Sequence, residues 1–320
     1  MKALRFDGHR LSLRSMRRPS PRRGEVLVRV RLAGICSTDI EILRGYMEFR
    51  GVPGHEFVGT AQSPAPRRLA GRRVTGEINL PCGSCGLCRA GLGKHCPRRS
   101  VLGISVRDGA FAEYLALPAA NLHPIPDTVS DEEAVFTELL AAACEIPERV
   151  RITRRTRVAV IGDGRLAALA VQVLGLRTDR LVLFGIDPAK METISSLGYE
   201  TRPAEEATGC AGAFDVAVDC SGSPGGLPGA VGLVRPRGTV VLKSTFAGEA
   251  RWNPSTVAVG EITIVGSRCG PFPAALELLE RGLVKVMPLL TAIYPLERWE
   301  TAFRRARGRG SFKVALEIGP

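Results

Sequence analysis

The stretch Val158-Ala-Val-Ile-Gly162-Asp-Gly164-Arg-Leu-Ala167 joins an apolar run to two closely spaced glycines and the start of a helical pattern. The apolar run predicts a buried strand, Gly162 permits a tight turn, and Gly164 lets the backbone approach a pyrophosphate. Ala167 allows the helix to pack closely on the strand, and the amides at the helix start would face negative charge. The stretch therefore predicts the phosphate-binding turn of a dinucleotide fold.

Strand and helix patterns alternate around this turn. A helix is predicted at 130–143, with Ser130 as N-cap and Glu133 as its capping-box partner. This alternation is typical of an α/β fold with a doubly wound parallel sheet. The remaining predicted elements are strands at 157–161, 181–184, 214–219, 238–243 and 261–265 and helices at 165–174 and 188–197.

The end of the second strand, Leu181-Val-Leu-Phe-Gly185-Ile-Asp187-Pro188, bears on the choice of cofactor. An acidic residue about twenty residues after the glycine turn typically binds the ribose of NAD. Gly185 stands at that position and would admit the 2′-phosphate of NADP, yet no arginine follows to bind this phosphate. Asp187 fits the N-cap of the next helix, with Pro188 at N1, better than it fits a ribose ligand. The sequence leaves NAD and NADP as alternatives.

The first 120 residues have a different character, because short apolar stretches are punctuated by glycine and proline. Strands are predicted at 25–32, 57–62, near Val74 and at 110–117, which favours a compact domain of the β-barrel type. A helix is predicted at 273–281, and a final strand at 312–318 is expected to rejoin this first domain.

Four cysteines follow the spacing C-x2-C-x2-C-x7-C: Cys82, Cys85, Cys88 and Cys96. This spacing allows four thiolates to converge on one tetrahedral zinc. A site with four sulfur ligands leaves no position for substrate, so the predicted zinc is structural. A pair of disulfides is the alternative interpretation.

A second metal site is suggested by Gly34-Ile-Cys36-Ser-Thr38-Asp39 and Gly54-His55-Glu56-Phe-Val-Gly59. A catalytic zinc needs two or three protein ligands and an open position. Cys36 and His55 offer a thiolate and an imidazole, and Glu138 could add a carboxylate. A lone cysteine or histidine is more often simply packed or exposed than bound to a metal.

These motifs, with Asp219-Cys-Ser-Gly222 and the closing Phe312-Lys-Val, resemble the zinc-dependent medium-chain dehydrogenases, the alcohol and polyol dehydrogenase family. The resemblance covers nearly the whole chain. It implies a GroES-like β-barrel catalytic domain over 1–125, with a structural zinc lobe at about 80–98. A Rossmann NAD(P)-binding domain is expected over 126–266, and residues 267–320 are expected to complete the catalytic domain.

The resemblance also implies roles for individual residues. Cys36 and His55 would bind the catalytic zinc, with Glu56 or Glu138 as the carboxylate ligand. Thr38 would pass the proton of the substrate hydroxyl, and Asp39 would orient His55. The residues implied to bind the cofactor are Gly162, Gly164, Arg165, Leu166, Ala167, Gly185, Lys190 and Ser221.

Two departures from the family pattern affect the site. Glu41 stands where liver-type alcohol dehydrogenases have a relay histidine, so the outer proton path is in question. Leu139 replaces the proline that follows the equivalent glutamate in sorbitol-type members, which could alter the approach of the Glu138 carboxylate.

Composition narrows the functional classes. The chain has 320 residues, 45% hydrophobic residues and a formal net charge of +12. Its basic clusters are not interleaved with aromatic residues, which make up only 5%, so nucleic-acid binding through the cysteine lobe is the weaker alternative. Nine cysteines and no signal-like start favour a reducing compartment, and a cytoplasmic location without membrane contact is expected.

The sequence thus predicts an enzyme that transfers hydride between a primary, secondary, polyol or amino alcohol and NAD or NADP. One catalytic and one structural zinc are expected, together with a small-molecule alcohol or carbonyl substrate and a homo-oligomer, either dimer or tetramer. A zinc-free reductase or a non-enzymatic member with the same fold is the alternative.

Overall fold

The computed structural model describes residues 1–246 and 249–319. The first part of the chain is rich in short strands with two short helices. Its strands are β1 (Lys2–Phe6), β2 (Leu11–Ser15), β3 (Glu25–Ile35), β4 (Glu56–Ala61), β5 (Arg73–Gly76), β6 (Asn79–Leu80), β7 (Ser100–Leu102), β8 (Val106–Arg107), β9 (Tyr114–Pro118) and β10 (Leu122–Pro124). Its helices are α1 (Ser37–Ile42) and α2 (Gly86–Arg89).

The remaining part alternates between helices and strands. Its helices are α3 (Asp131–Ala134), α4 (Thr137–Arg149), α5 (Arg165–Gly175), α6 (Pro188–Ser196), α7 (Gly226–Leu233), α8 (Ser255–Val259), α9 (Phe272–Glu280) and α10 (Trp299–Ala306). Its strands are β11 (Val158–Ile161), β12 (Leu181–Gly185), β13 (Glu200–Pro203), β14 (Phe214–Asp219), β15 (Val234–Leu242), β16 (Thr263–Gly266), β17 (Leu290–Pro295) and β18 (Lys313–Glu317).

Five strands of the first part form a seven-stranded sheet with the last two strands of the chain, whereas β1 and β2 form a two-stranded sheet and β6, β7 and β8 a three-stranded one. The order of the seven-stranded sheet is β10-β5-β4-β3-β18-β17, and β9 also pairs with β3. Because β18 lies antiparallel to β3, the end of the chain rejoins the first part, as predicted. This pairing brings Lys313 beside the beginning of β4.

The second sheet has six strands in the order β13-β12-β11-β14-β15-β16, and all of its pairs are parallel. Strands β11 and β12 are almost entirely apolar, as expected for strands that helices cover on both faces. The carboxyl ends of β11 and β12 meet at one edge, where α5 and α6 begin. Ligands of open α/β sheets bind at this edge.

Local signals set most element boundaries. Ser130 caps α3 with Glu133 in the predicted capping box, and Asp187 caps α6 by accepting from the backbone amides of Ala189 and Lys190. The helix predicted at 130–143 is instead two helices, because Val135 ends α3 and Phe136 precedes α4. Both residues are buried in the core, so packing overrides the continuous helical pattern. No helix among the described residues is long and apolar enough to cross a membrane.

Candidate active site

A cavity of about 860 Å³ lies between the two sheets. Cys36, Thr38 and His55 line it from the β-rich side, and the turn after β11 lines it from the parallel sheet. The cavity therefore brings the predicted metal ligands and the predicted phosphate-binding turn to one space. Small molecules usually bind in concave sites of this kind.

Cys36 and Asp39 occupy fixed positions at the start of α1. Cys36 is the N-cap residue, and its backbone N–H donates to Oδ2 of Asp39 over 2.7 Å. The other carboxylate oxygen of Asp39 accepts from the N–H of Gly54 over 3.1 Å and lies 3.3 Å from Nδ1 of His55. One fully buried carboxylate thus joins the two loops that carry Cys36 and His55.

These neighbours control the charge of His55, which is itself buried. Burial lowers the pKa of His55, but Asp39 and Cys36 raise it by more, so that the pKa lies well above its usual value. The surroundings therefore favour a positive charge at this imidazole. A bound metal cation would supply such a charge in place of the proton.

Glu56 forms a fully buried ion pair with Lys313 of β18. Burial alone would raise the pKa of Glu56, but Lys313 and His55 lower it below its usual value. Lys313 bonds to Oε2, whereas Oε1 is buried and has no hydrogen-bond partner among the described residues. A buried carboxylate oxygen without a partner is costly, and a metal ion would satisfy it.

Cys36, His55 and Glu56 form one potential metal-binding group, because one ligand atom from each lies within 4.8 Å of the others. Glu138, near the start of α4, lines the same cavity. Burial raises the pKa of Glu138, and His55 lowers it in part. The structure thus brings Glu56 into the group with the thiol and imidazole, and it places Glu138 on the wall of the same cavity.

The predicted phosphate-binding turn has the expected backbone shape. Gly162 has φ of +107°, and an added Cβ would lie 2.8 Å from the carbonyl oxygen of Cys220, so only glycine fits. Gly164 is the N-cap of α5, and Ala167 is buried where this helix packs on β11. The predicted cofactor residues that line the cavity are Gly162, Gly164, Arg165, Leu166, Gly185, Lys190 and Ser221.

Arg165 connects the phosphate-binding turn to the loop that carries Cys36. Its guanidinium donates to the carbonyl oxygen of Ile35 and, over 3.1 Å, to Oγ of Ser37. The side chain therefore ties the start of α5 to the start of α1. This contact makes Arg165 a link between the two halves of the cavity, a role that its position in the sequence did not suggest.

The four cysteines at 82–96 converge as their spacing predicts. Their Sγ atoms lie 3.4 Å (Cys85–Cys88), 3.8 Å (Cys85–Cys96) and 3.9 Å (Cys82–Cys88) apart. A tetrahedron of Zn–S bonds of about 2.3 Å has edges of about 3.8 Å. Hydrogen bonds from Ser84 lower the pKa of Cys82 to about 5, whereas burial raises the pKa of Cys88 to about 11, so the suitability for zinc rests on the geometry of the four sulfur atoms. The four thiols are therefore suited to zinc, and none forms a disulfide.

The cysteine lobe is anchored against the wall of the active-site cavity. Nζ of Lys94 donates to Oε1 of Glu145 over 2.6 Å and to the carbonyl oxygen of Cys269 over 3.1 Å. Arg268 donates back to the carbonyl oxygen of Lys94 over 2.7 Å. Because Arg268 and Cys269 line the cavity, the lobe supports part of its surface.

Two family models match the chain. Residues 22–127 match the alcohol dehydrogenase GroES-like domain, and residues 162–281 match the zinc-binding dehydrogenase model. The starvation-sensing protein RspB of Escherichia coli is 30% identical over 297 residues, which cover 87% of both chains. The chain belongs to the zinc-dependent medium-chain dehydrogenases. The predicted fold class, zinc and nicotinamide cofactors and enzyme class are confirmed, so this medium-chain dehydrogenase transfers hydride between an alcohol and NAD(P).

Other relatives of this medium-chain dehydrogenase act on polyols according to their names. D-arabinitol dehydrogenase 1 of Uromyces fabae is 28% identical, with 92% of this chain and 90% of the relative covered. Sorbitol dehydrogenase of Halalkalibacterium halodurans is also 28% identical, with 93% of each covered.

Solved structures of relatives superpose closely. RspB of E. coli CFT073, in complex with NADH, has a TM-score of 0.90 at 28% identity, with 99% of both chains covered. A zinc-binding dehydrogenase of Sinorhizobium meliloti, bound to NADP, has a TM-score of 0.91 at 26% identity, with 99% of this chain and 98% of that chain covered. Similar structures therefore contain either nicotinamide cofactor.

Sequence reasoning missed two lysines that shape this dehydrogenase. Lys313 pairs with Glu56, and Lys243, at the end of β15, donates to the carbonyl oxygens of Ala142 (2.7 Å) and Arg268 (2.8 Å). Burial lowers the pKa of Lys243. A lysine in the apolar strand Phe312-Lys-Val-Ala-Leu was a usable signal, because lysine is seldom buried without a partner.

Proposed function

We propose that Cys36, His55 and Glu56 bind the catalytic zinc of this dehydrogenase, and that Glu138 faces the same reaction space. The observation that carries the proposal is the convergence of a thiol, an imidazole and a carboxylate beside the cavity, where Oε1 of Glu56 has no partner in the described part of the chain. Thiolate, imidazole and carboxylate ligands suit zinc. Asp39 holds the first two ligands in place through backbone and side-chain contacts.

Zinc held by these residues would supply a Lewis acid that lowers the pKa of a substrate hydroxyl, and a bound nicotinamide would supply the hydride acceptor. The residues of the chain position these groups and move the proton. Thr38 lines the cavity, and its Oγ1 lies 3.8 Å from Sγ of Cys36. We assign to Thr38 the first acceptor position for the hydroxyl proton.

We propose a polyol as the alcohol substrate. Asn79, Arg99 and Arg268 line the cavity beside His55 and Glu138, so several hydrogen-bonding groups surround one space. A substrate with several hydroxyl groups could use such groups for orientation. The polyol substrates named for D-arabinitol and sorbitol dehydrogenases support the same class.

The test is a panel of simple alcohols, polyols and amino alcohols assayed with NAD and NADP, with the absorbance of the reduced cofactor as readout. Zinc content is measured by mass spectrometry on the wild type, on Cys36→Ser and on Cys210→Ser. Cys210 is a free cysteine distant in sequence from both metal-binding groups, so it is the matched control.

We expect two zinc ions in the wild type and in Cys210→Ser. Cys36→Ser should retain one zinc, bind reduced cofactor and lose turnover. Full activity of Cys36→Ser would contradict the assignment, and activity after loss of that zinc would support a zinc-free reductase. Turnover of simple alcohols but not of polyols would reject the proposed substrate class.

We further propose a cytoplasmic homo-oligomer, either dimer or tetramer, that does not bind nucleic acid. Nine free cysteines support a reducing compartment. Within the described part of the chain, β16 is the outermost strand of the parallel sheet, and Val259 before it is 87% exposed. An outer strand with a nearby exposed apolar side chain suits pairing with a second copy. Light scattering coupled to gel filtration would give the oligomeric state.

A further inference from the structure

The choice between the two nicotinamide cofactors depends on the corner where β12 ends. In a dinucleotide fold this corner lies next to the adenosine ribose, and an acidic side chain there hydrogen-bonds the 2′-hydroxyl. Here Gly185 ends the strand and offers no side chain. The corner nevertheless contains a carboxylate, and it comes from a different part of the sequence.

Asp163, between the two glycines of the phosphate-binding turn, extends to this corner. Its Oδ2 accepts from the backbone N–H of Ile186 over 2.6 Å and from that of Asp187 over 2.7 Å. A Cβ added to Gly185 would lie 3.0 Å from both Cβ and Oδ2 of Asp163. The Asp163 side chain thus occupies the space in which a side chain at 185 would begin.

The position of Asp163 is fixed and belongs to the cofactor cavity. The relative exposure of Asp163 is only 7%, yet the residue lines the cavity together with Gly185 and Ile186. Two short hydrogen bonds to one oxygen leave Oδ1 available as an acceptor. The carboxylate therefore offers the same chemistry as the missing acid at 185.

We infer that Asp163 selects NAD over NADP. A 2′-hydroxyl can donate to the carboxylate, whereas a 2′-phosphate would meet its negative charge at close range. The phosphate would also find the N–H groups of Ile186 and Asp187 already engaged. This inference rests on the dinucleotide occupying the cavity as the proposed function requires.

Lys190 would favour NADP over NAD. It lines the same cavity, and its ammonium would attract a 2′-phosphate. However, Lys190 offers only one positive charge to a 2′-phosphate. The two amide donors at the corner are already bound to Asp163, and the Asp163 carboxylate would repel the phosphate. We therefore expect Asp163 to determine the preference.

The test is equilibrium binding of NADH and NADPH, followed by the fluorescence of the reduced nicotinamide, to the zinc-loaded enzyme without alcohol. We expect NADH to bind roughly 10- to 100-fold more tightly than NADPH, the range that one or two charge-assisted hydrogen bonds provide. In Asp163→Asn the preference should fall by about 10-fold or more, because the amide oxygen keeps the two backbone contacts while the charge is lost. In Asp163→Gly the freed amides should raise NADPH affinity further.

Asp187→Asn is the matched control, since it removes one negative charge from the same loop while asparagine still caps α6. It should leave the ratio of the two affinities unchanged. Equal or tighter binding of NADPH to the wild type would overturn the inference. Equal weakening of both cofactors in Asp163→Asn would also overturn it, because a merely structural role predicts that result. If Asp163→Gly fails to fold, the wild type and the Asn variant still decide.

The binding measurement is independent of the alcohol. An enzyme inactive on every alcohol of the panel would contradict the proposed function while the affinities still tested Asp163. Conversely, an active polyol dehydrogenase that prefers NADPH would contradict only the inference about Asp163.

Discussion

Replacement of Lys313 by methionine directly tests how much the ion pair between β18 and β4 contributes to the stability of the β-rich part. Methionine keeps the length and most of the volume of the lysine side chain but removes its charge. Lys313 and Glu56 are both fully buried, and Lys313 also lies 5.5 Å from the centre of the Phe136 ring. In the metal-free protein the substitution therefore leaves a buried carboxylate without its lysine partner.

Removal of one partner from a buried ion pair typically costs about 3–5 kcal/mol, because the other charge remains desolvated. With an unfolding entropy of about 2.1 cal/mol/K per residue, this corresponds to a fall of roughly 4–8 °C in the melting temperature if the chain unfolds as one unit. The double variant Lys313→Met with Glu56→Gln should recover much of the loss, since the carboxylate that lost its lysine partner is also removed.

The assay is guanidinium unfolding of the protein after its zinc has been removed with a chelator, followed by circular dichroism, because a zinc ion at Glu56 would itself balance the carboxylate. Lys2→Met is the matched control, because Lys2 and Glu297 form an ion pair with side chains 57% and 51% exposed. Exposed pairs contribute little, so this variant should unfold like the wild type. A loss below about 1 kcal/mol in Lys313→Met, or a double variant no more stable than the single one, would refute the reasoning.

Four further outcomes follow from the structure. Lys243→Met should lose about 2–4 kcal/mol in guanidinium unfolding, because two buried carbonyl oxygens lose their charged donor. Arg165→Gln should lower kcat by about 10-fold while the fold, checked by circular dichroism, is kept, since α1 and α5 lose their link. Cys85→Ser should reduce zinc content from two to one per chain and lower the melting temperature in a thermal scan. Asp215 accepts hydrogen bonds from Arg157 and Arg235, which hold its pKa well below the usual value although partial burial raises it. The contribution of Asp215 to the stability of the folded protein is therefore present above about pH 4 and is lost as the pH falls toward the pKa of the folded state. The difference in unfolding free energy between wild type and Arg157→Gln should therefore shrink from pH 5 to pH 3.

Features encoded by short sequence signals could be predicted well. The strand–glycine–helix pattern at 158–167 gave β11 and α5, and the spacing of the four cysteines gave a cluster with tetrahedral dimensions. Ser130 and Asp187 cap helices as expected, because capping depends on residues within one turn.

Features that depend on distant pairing could not be predicted. The sequence left Glu56 and Glu138 as alternative ligands, because the pairing of Glu56 with Lys313 requires β18 to lie against β3. Likewise, the glycine at 185 suggested that no carboxylate lies at the end of β12, because nothing in the local sequence indicates that the Asp163 side chain occupies this space. In both cases a side chain from another strand or turn decides the chemistry.

The pairing of β18 with β3 also affects how the polypeptide matures during translation. Residues 25–35 leave the ribosome long before residues 313–317, and the whole dinucleotide-binding sheet is synthesised in between. Until Lys313 emerges, the carboxylate of Glu56 lacks its lysine partner, and residues 32–35 of β3 lack the neighbouring strand β18. The β-rich part should therefore complete its strand pairing only after the parallel sheet has been synthesised.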